Sequence, residues 1–156
     1  MQDREKRRWR FLGRKRGGER GQSLVETALV FPVLVTMLVG SVEVARVVRA
    51  SIAVANAAKA GAQYGCESGF TAQDSTGIAT AASNEASTFT VTTNSSVACT
   101  CSDGSASTCL NTDCANSHIE ETVSVNTQAT VNATVQLPGL PKTFTVKGQS
   151  IQRVVQ

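Results

Sequence analysis

Aromatic residues are scarce. They make up 4% of the 156 residues, so any folded core must be built from Val, Ile, Leu and Ala. Such a core is thin, because the side chains that bury most area are missing. Histidine occurs once, at His118. No Gly-x-Ser-x-Gly, phosphate-binding loop or Cys-x-x-Cys pair is present. Glu120 and Glu121 follow His118, but neighbours along a strand point to opposite faces. Without a nucleophile, base and orienting group in one motif, the sequence reads as a non-enzyme. It also calls for no cofactor.

Charge is not evenly spread. Before Gln22 there are nine basic and three acidic residues, a net of +6, and the rest of the chain carries −3. A basic head before an apolar run marks a segment whose N-terminus stays in the cytoplasm. The competing reading is a basic tail for nucleic acid, with only Trp9 and Phe11 to stack on bases. The −3 remainder argues against nucleic acid, which needs a basic surface.

Residues 1–21 mix Gly13, Gly17, Gly18 and Gly21 with charges and show no periodicity. They read as a disordered cytoplasmic leader. A secretory signal peptide would be cut on the far side of its apolar region. Here that side is Val42-Glu43-Val44-Ala45-Arg46, still in helical pattern. The expected cut is therefore on the near side, after Gly21, where no side chain obstructs a protease. It would remove the head and keep the apolar helix.

Thr27–Val42 is free of charge, and Gln22–Glu26 extends it to a span of about 20 residues. Pro32 lies inside, where a kink is tolerated. Gly40 and Ser41 permit close helix contact. After Val42 the pattern becomes amphipathic. Glu43, Arg46, Arg49, Asn56, Lys59 and Gln63 form one stripe, and Val44, Val47, Val48, Ile52, Ala55, Ala58 and Ala62 the other. Glu43 and Arg46 are spaced to pair. One helix over 22–65, ending near Gly65, would be about 65 Å long.

The run Arg20-Gly21-Gln22-Ser23-Leu24-Val25-Glu26-Thr27-Ala28-Leu29-Val30-Phe31-Pro32, with Val42-Glu43-Val44-Ala45-Arg46 and Asn56-Ala57-Ala58-Lys59-Ala60-Gly61-Ala62-Gln63-Tyr64, resembles TadE-like proteins. These are pseudopilins or minor pilins of the tight-adherence (Flp) pilus system of bacteria. The resemblance is close over roughly 20–65 and architectural beyond. It implies cleavage after Gly21 by a prepilin peptidase, and partners among other pilins and the assembly platform. It also implies an inner-membrane, single-pass location with the C-terminal domain outside and a role in surface adhesion. Flp-type pilins usually carry an aromatic after the glutamate, where this chain has Thr27.

Glu26 sits at the start of the span. An ionisable group costs about 2.5–3.5 kcal/mol at a membrane helix centre, and less near its end. It either snorkels to the cytoplasmic edge or, as the pilin resemblance implies, pairs with the α-amino group that cleavage creates at Gln22 of a neighbouring subunit.

The remainder, 66–156, reads as a small extracytoplasmic α+β domain. Cys66–Phe70 is a turn. Asp74 or Ser75 caps a short helix to about Ser87, with Ile78, Ala81, Ala82 and Ala86 on one side. Strands are expected at 88–92, at 122–135 with Val123, Val125, Thr127, Ala129, Val131, Ala133 and Val135 on one face, at 143–146 and at 150–155. Residues 137–141 break the chain. The whole is a long transmembrane helix continuing into a pilin-like domain with an antiparallel sheet packed on it.

Cys66, Cys99, Cys101, Cys109 and Cys114 fall on the outer side under this topology, where disulfides persist. The last four lie in a polar, Cys-rich stretch, 94–118, expected to be a loop ordered by cross-links. Four cysteines allow three pairings, and the odd count leaves one thiol free or paired between subunits. Zinc held by Cys99, Cys101, Cys109, Cys114 and His118 is the alternative, without the usual paired spacing. Asn94-Ser95-Ser96 and Asn132-Ala133-Thr134 match the glycosylation sequon, a short and frequent pattern. The function alternative to a pilus component is an uncleaved, signal-anchored binding domain that uses the 94–118 stretch.

Overall fold

The computed structural model describes residues 19–110, 112–135 and 141–155. Most of the leader and of the 137–141 chain break lies outside the described residues. The chain divides into two compact units, one up to Gly40 and one from Ser41 on. The long helix α1 (Glu19–Gly65) contributes to both. It begins three residues before the expected start.

In the first unit α1 runs through Pro32. Leu24, Val25, Leu29, Phe31, Leu34, Met37 and Leu38 are all exposed, and this is a helix long and apolar enough to cross a membrane. Hydroxyls return to the helix backbone: Thr27 Oγ1 donates to Ser23 O at 2.9 Å and Thr36 Oγ1 to Pro32 O at 2.8 Å. That satisfies groups which apolar surroundings would leave bare.

The second unit is α+β. After α1 come α2 (Gly69–Gln73), α3 (Ser75–Glu85), β1 (Thr92–Cys101), β2 (Ala106–Ser107), β3 (Ile119–Asn132) and β4 (Thr143–Arg153). The sheet is antiparallel in the order β2-β1-β3-β4. Its inner face carries Val123, Val125, Thr127, Ala129 and Val131, all buried. Ala133 and Val135, expected on the same face, lie beyond the end of β3.

The C-terminal half of α1 packs on this face through its smallest residues. Ala50, Val54, Ala57, Ala58 and Ala62 are fully buried. A Cβ on Gly61 would sit 3.1 Å from Ile78 O and 3.2 Å from Val125 Cγ1. A Cβ on Gly148 of β4 would sit 2.7 Å from Val54 O. Helix and sheet therefore approach closely, with Gly and Ala at most of the contact positions and Val54 the one larger helix side chain fully buried there. Thr127 adds a polar tie across this contact, its Oγ1 donating to Val54 O at 2.8 Å. α3 adds Ile78, Ala82 and Ala86 to the core, with Ala81 only half-buried. The largest fully buried side chains are Ile78, Val54, Val123 and Val125, a core without a buried aromatic among the described residues.

Five expectations are corrected. The 66–70 turn gives way at Gly69 to α2, which Ser68 starts by a reciprocal capping box with Thr71. The strand expected at 88–92 begins only at Thr92, because Phe89 N–H still donates to Ala86 O in the turn closing α3. The stretch 94–118 is not all loop: β1 runs to Cys101 and β2 follows. The two C-terminal strands are one, β4. Of the apolar stripe, Ala58 and Ala62 are buried and Val47 half-buried, but Val44, Val48, Ile52 and Ala55 are exposed, because Ala50, Val54, Ala57 and Gly61 face the sheet instead.

Candidate functional site

Two clusters concentrate the chemistry, one in each unit. The first lies at one end of the sheet. Cys99 and Cys101 are two apart on β1, so both sulfurs point to the inner face. Cys99 is bonded to Cys109 and Cys101 to Cys114. This takes all four sulfurs away from the zinc alternative. The position explains the device. The contact of Gly65, where α1 ends, is with Val123, which pairs with Val97. The next inner rows, Cys99 with Glu121 and Cys101 with Ile119, lie past the helix end. The two bridges tie Cys109 and Cys114 onto these rows, beside α2, whose Gly69 lies next to Glu121.

Asp113 organises that segment. Its Oδ2 accepts from Thr108 N–H at 2.6 Å, Thr108 Oγ1 at 2.7 Å and Ser107 Oγ at 3.1 Å. These bonds, led by the Thr108 hydroxyl, hold the carboxyl below its ordinary value. Asp103 closes the preceding turn by accepting from Ser105 N–H and Oγ, and its carboxyl is lowered for that reason. Cys109 takes φ 67°, the left-handed region that non-glycine residues rarely occupy. An open pocket of about 360 Å3 lies beside the bridges, lined by Gln73, His118 and Glu121 among others. His118 Nε2 is 3.7 Å from Glu120, whose carboxylate meets Arg153 at 2.6 Å. Cys66 is the free thiol, half-buried, with Sγ 3.2 Å from Gln152 Oε1.

The second cluster opens α1. Gly21 is exposed and a Cβ there would meet nothing within 4 Å. The fold does not require glycine at this position, although glycine in a helix costs about 1 kcal/mol relative to alanine. Gln22 Nε2 donates to Glu26 Oε1 at 3.3 Å, one turn along. Glu26 faces a groove of about 280 Å3 with Thr27, Val30, Phe31 and Leu34. An exposed carboxylate thus stands beside an exposed aromatic and aliphatic surface.

Residues 21–63 match the family model of TadE-like proteins. No curated protein and no solved structure gives a match. The TadE-like segment begins at the unexplained glycine and ends within the last turn of α1. It contains Gly21, Gln22 and Glu26 and excludes all five cysteines. The similarity is confined to this segment, and the sheet domain beyond it lies outside the match. The apolar helix of this segment could span a membrane.

Glu43, also in the TadE-like segment, has a role the sequence did not announce. It pairs with Arg46 at 3.5 Å as its spacing suggests. Its other oxygen accepts from the N–H groups of Thr134 and Val135 at 3.0 and 3.3 Å, just past the end of β3. Sequence reasoning also missed Gly148 and Asp113, and it placed Thr127 on the inner face of its strand without foreseeing the bond to α1. For Gly148 the available signal was a glycine inside an alternating run.

Proposed function

We infer that this chain is a minor pilin or pseudopilin of a Tad-type pilus, without enzymatic activity, cut after Gly21 by a prepilin peptidase. It then takes part in assembly of the pilus and through it in surface adhesion. The observation that carries this reading is the coincidence at the head of α1. The family match begins at a sterically unneeded glycine, and a carboxylate beside exposed apolar surface follows within six residues of it. The basic head supports an N-terminus in the cytoplasm and a bacterial inner-membrane anchor. The two disulfides are consistent with the second unit outside, where thiols oxidise. Assembly partners are other pilins, pseudopilins and the platform, met through the exposed face of α1.

Cleavage frees an α-amino group at Gln22. In this reading that group on one subunit pairs with Glu26 of another, offsetting burial of both charges in the membrane. Glu26 accepts from the Gln22 side-chain amide within one helix, which places its carboxylate one turn from the new terminus.

The test is the intact mass and N-terminal sequence of the protein from native membranes, wild type beside Gly21→Leu. The expected result is a mature start at Gln22, lost in the variant. A full-length chain in a host with active prepilin peptidase would overturn the reading. It would leave an uncleaved signal-anchored binding domain.

A further inference from the structure

The middle rows of the sheet's outer face are built mainly from uncharged amides and hydroxyls, while Glu120 and Arg153 pair at one end of that face. The register aligns the amides and hydroxyls in rows. Asn94, Asn126 and Gln149 form one row across β1, β3 and β4, and Thr92, Gln128 and Lys147 the next. Ser96 and Ser124 flank them on one side and Thr130 and Thr145 on the other. Asn94, Asn126, Gln128, Lys147 and Gln149 are exposed, and together they line an open groove of about 420 Å3. Among the described residues, none of the four amide side chains is engaged in a hydrogen bond within the chain.

Asn is disfavoured in strands, and exposed strand faces have charged residues and Thr at their disposal for solubility. Between the row of Ser96, Ser124 and Ile151 and the row of Asn132 and Thr143, the outer face carries a single charge, Lys147, among the described residues. Each amide offers donors and an acceptor side by side, which suits the alternating donors and acceptors of vicinal hydroxyls. Successive strands are spaced by about 4.8 Å, close to the length of one sugar ring in an extended chain. A protein partner would want aromatic anchors, and the face presents none, Ile151 being its one large apolar side chain. One lysine is too little charge for nucleic acid.

We propose that this face binds an extended, uncharged glycan laid across the strands, with Asn94, Asn126 and Gln149 as the central row of contacts. The site is separate from the disulfide-linked end. It gives the adhesive role proposed above a ligand class, yet its chemistry does not depend on the cut at Gly21.

The test titrates full-length protein in detergent micelles with chitohexaose and with cellohexaose, read by calorimetry and saturation-transfer NMR. A heparin hexasaccharide is the charged control. Wild type is compared with the double variant Asn126→Ala, Gln149→Ala, both sites exposed and outside the core. The expected result is binding of at least one neutral hexasaccharide, weakened about tenfold or more in the double variant, with unchanged circular dichroism. Five results would overturn the proposal. They are no binding at millimolar sugar, equal binding by both proteins, and binding of heparin alone. The fourth is self-association of the wild type that the double variant abolishes, which would make the face a contact between copies. A glycan already attached at Asn94 in native protein would also overturn it. All of these readouts are independent of N-terminal processing, so this proposal and the pilus reading fail separately.

Discussion

The two halves of α1 use the same residue type for opposite ends. In the first unit Gly21 and Gly40 have nothing within 4 Å of a Cβ position. In the second, Gly61 and Gly65 sit against Ile78, Val125 and Val123. One set of glycines is free of the fold and the other is demanded by it. The same holds for large side chains. Leu, Phe and Met crowd the exposed first half, while the buried face of the second half is mostly alanine. Apolar content therefore does not say which part of a helix meets the core. Residue size does, where a sheet must come close.

Substitution at the close contacts should break this comparison most sharply. Gly148→Val places methyl groups into the backbone of Val54 and Ala55, and Gly61→Val pushes into Ile78 and Val125. Overpacking of this kind costs about 1–3 kcal/mol or more. With the clash at Gly148 falling on backbone, we expect about 3 kcal/mol there and less at Gly61. Gly40→Ala should instead leave the second unit unchanged and favour the helix by about 0.5–1 kcal/mol. Urea denaturation of full-length protein in mild detergent, followed by circular dichroism, measures all three. Equal losses at Gly40 and Gly148 would sink the distinction.

The disulfides come next. Bridges closing loops with sequence separations of 10 and 13 contribute about 3 kcal/mol each in the chain-entropy description. The bridges sit at the sheet end past Gly65, so their loss should be local. Cys101→Ser with Cys114→Ser should raise hydrogen exchange in residues 99–121 well before it does at Ala129 or Val146. Uniform loss of protection across the sheet would show that the bridges support the whole core.

This contrast also explains what the sequence made legible. The long helix, the capped α3, the inner face of β3 and the thin aliphatic core followed from periodicity and composition. The stripe of α1 that packs did not. Val44, Val48 and Ile52 have the stronger apolar signal, yet the sheet takes Ala50, Ala57 and Gly61. Nor was β4 legible as one strand, because Lys147-Gly148-Gln149 looks like an interruption. Lys147 and Gln149 face solvent and Gly148 faces α1, so period two continues through it. At the head of α1, Gly21 and Glu26 were visible as a motif because neither suits an apolar helix. The disulfide pairing needed the register of β1, which no spacing rule supplies.

A smaller effect is expected at Thr127, the buried polar residue that ties β3 to α1. Thr127→Val keeps the shape and removes the bond to Val54 O. That carbonyl lies inside a helix and retains its helical partner, so the loss should be about 1 kcal/mol. A thermal shift larger than that of Gly61→Val would mean that Thr127, rather than close packing, sets the helix–sheet register.

The smallest effect sharpens the comparison between the aliphatic core and the hydrogen-bonded tip. Hydrogen bonds from Thr108 and Ser107 lower Asp113, so its ionised form is bound more tightly in the folded protein than in the unfolded chain. The sign follows from linkage. The contribution is fully present above the ordinary carboxyl value of 3.8 and is lost as pH falls through the lower folded value. Acid should therefore loosen 107–113 while the helix–sheet core, which contains no buried carboxylate among the described residues, holds. NMR of the Thr108 amide between about pH 5 and pH 2 should show its signal moving and its exchange protection falling in that window. Asp113→Asn should remove the titration, and Asp103→Asn should leave it, because Asp103 closes a different turn. A Thr108 amide that follows Asp103 instead would reassign the organiser of the loop. With both bridges intact, the acid-loosened segment remains tethered at Cys109 and Cys114, so near-neutral pH should restore it without refolding of the sheet.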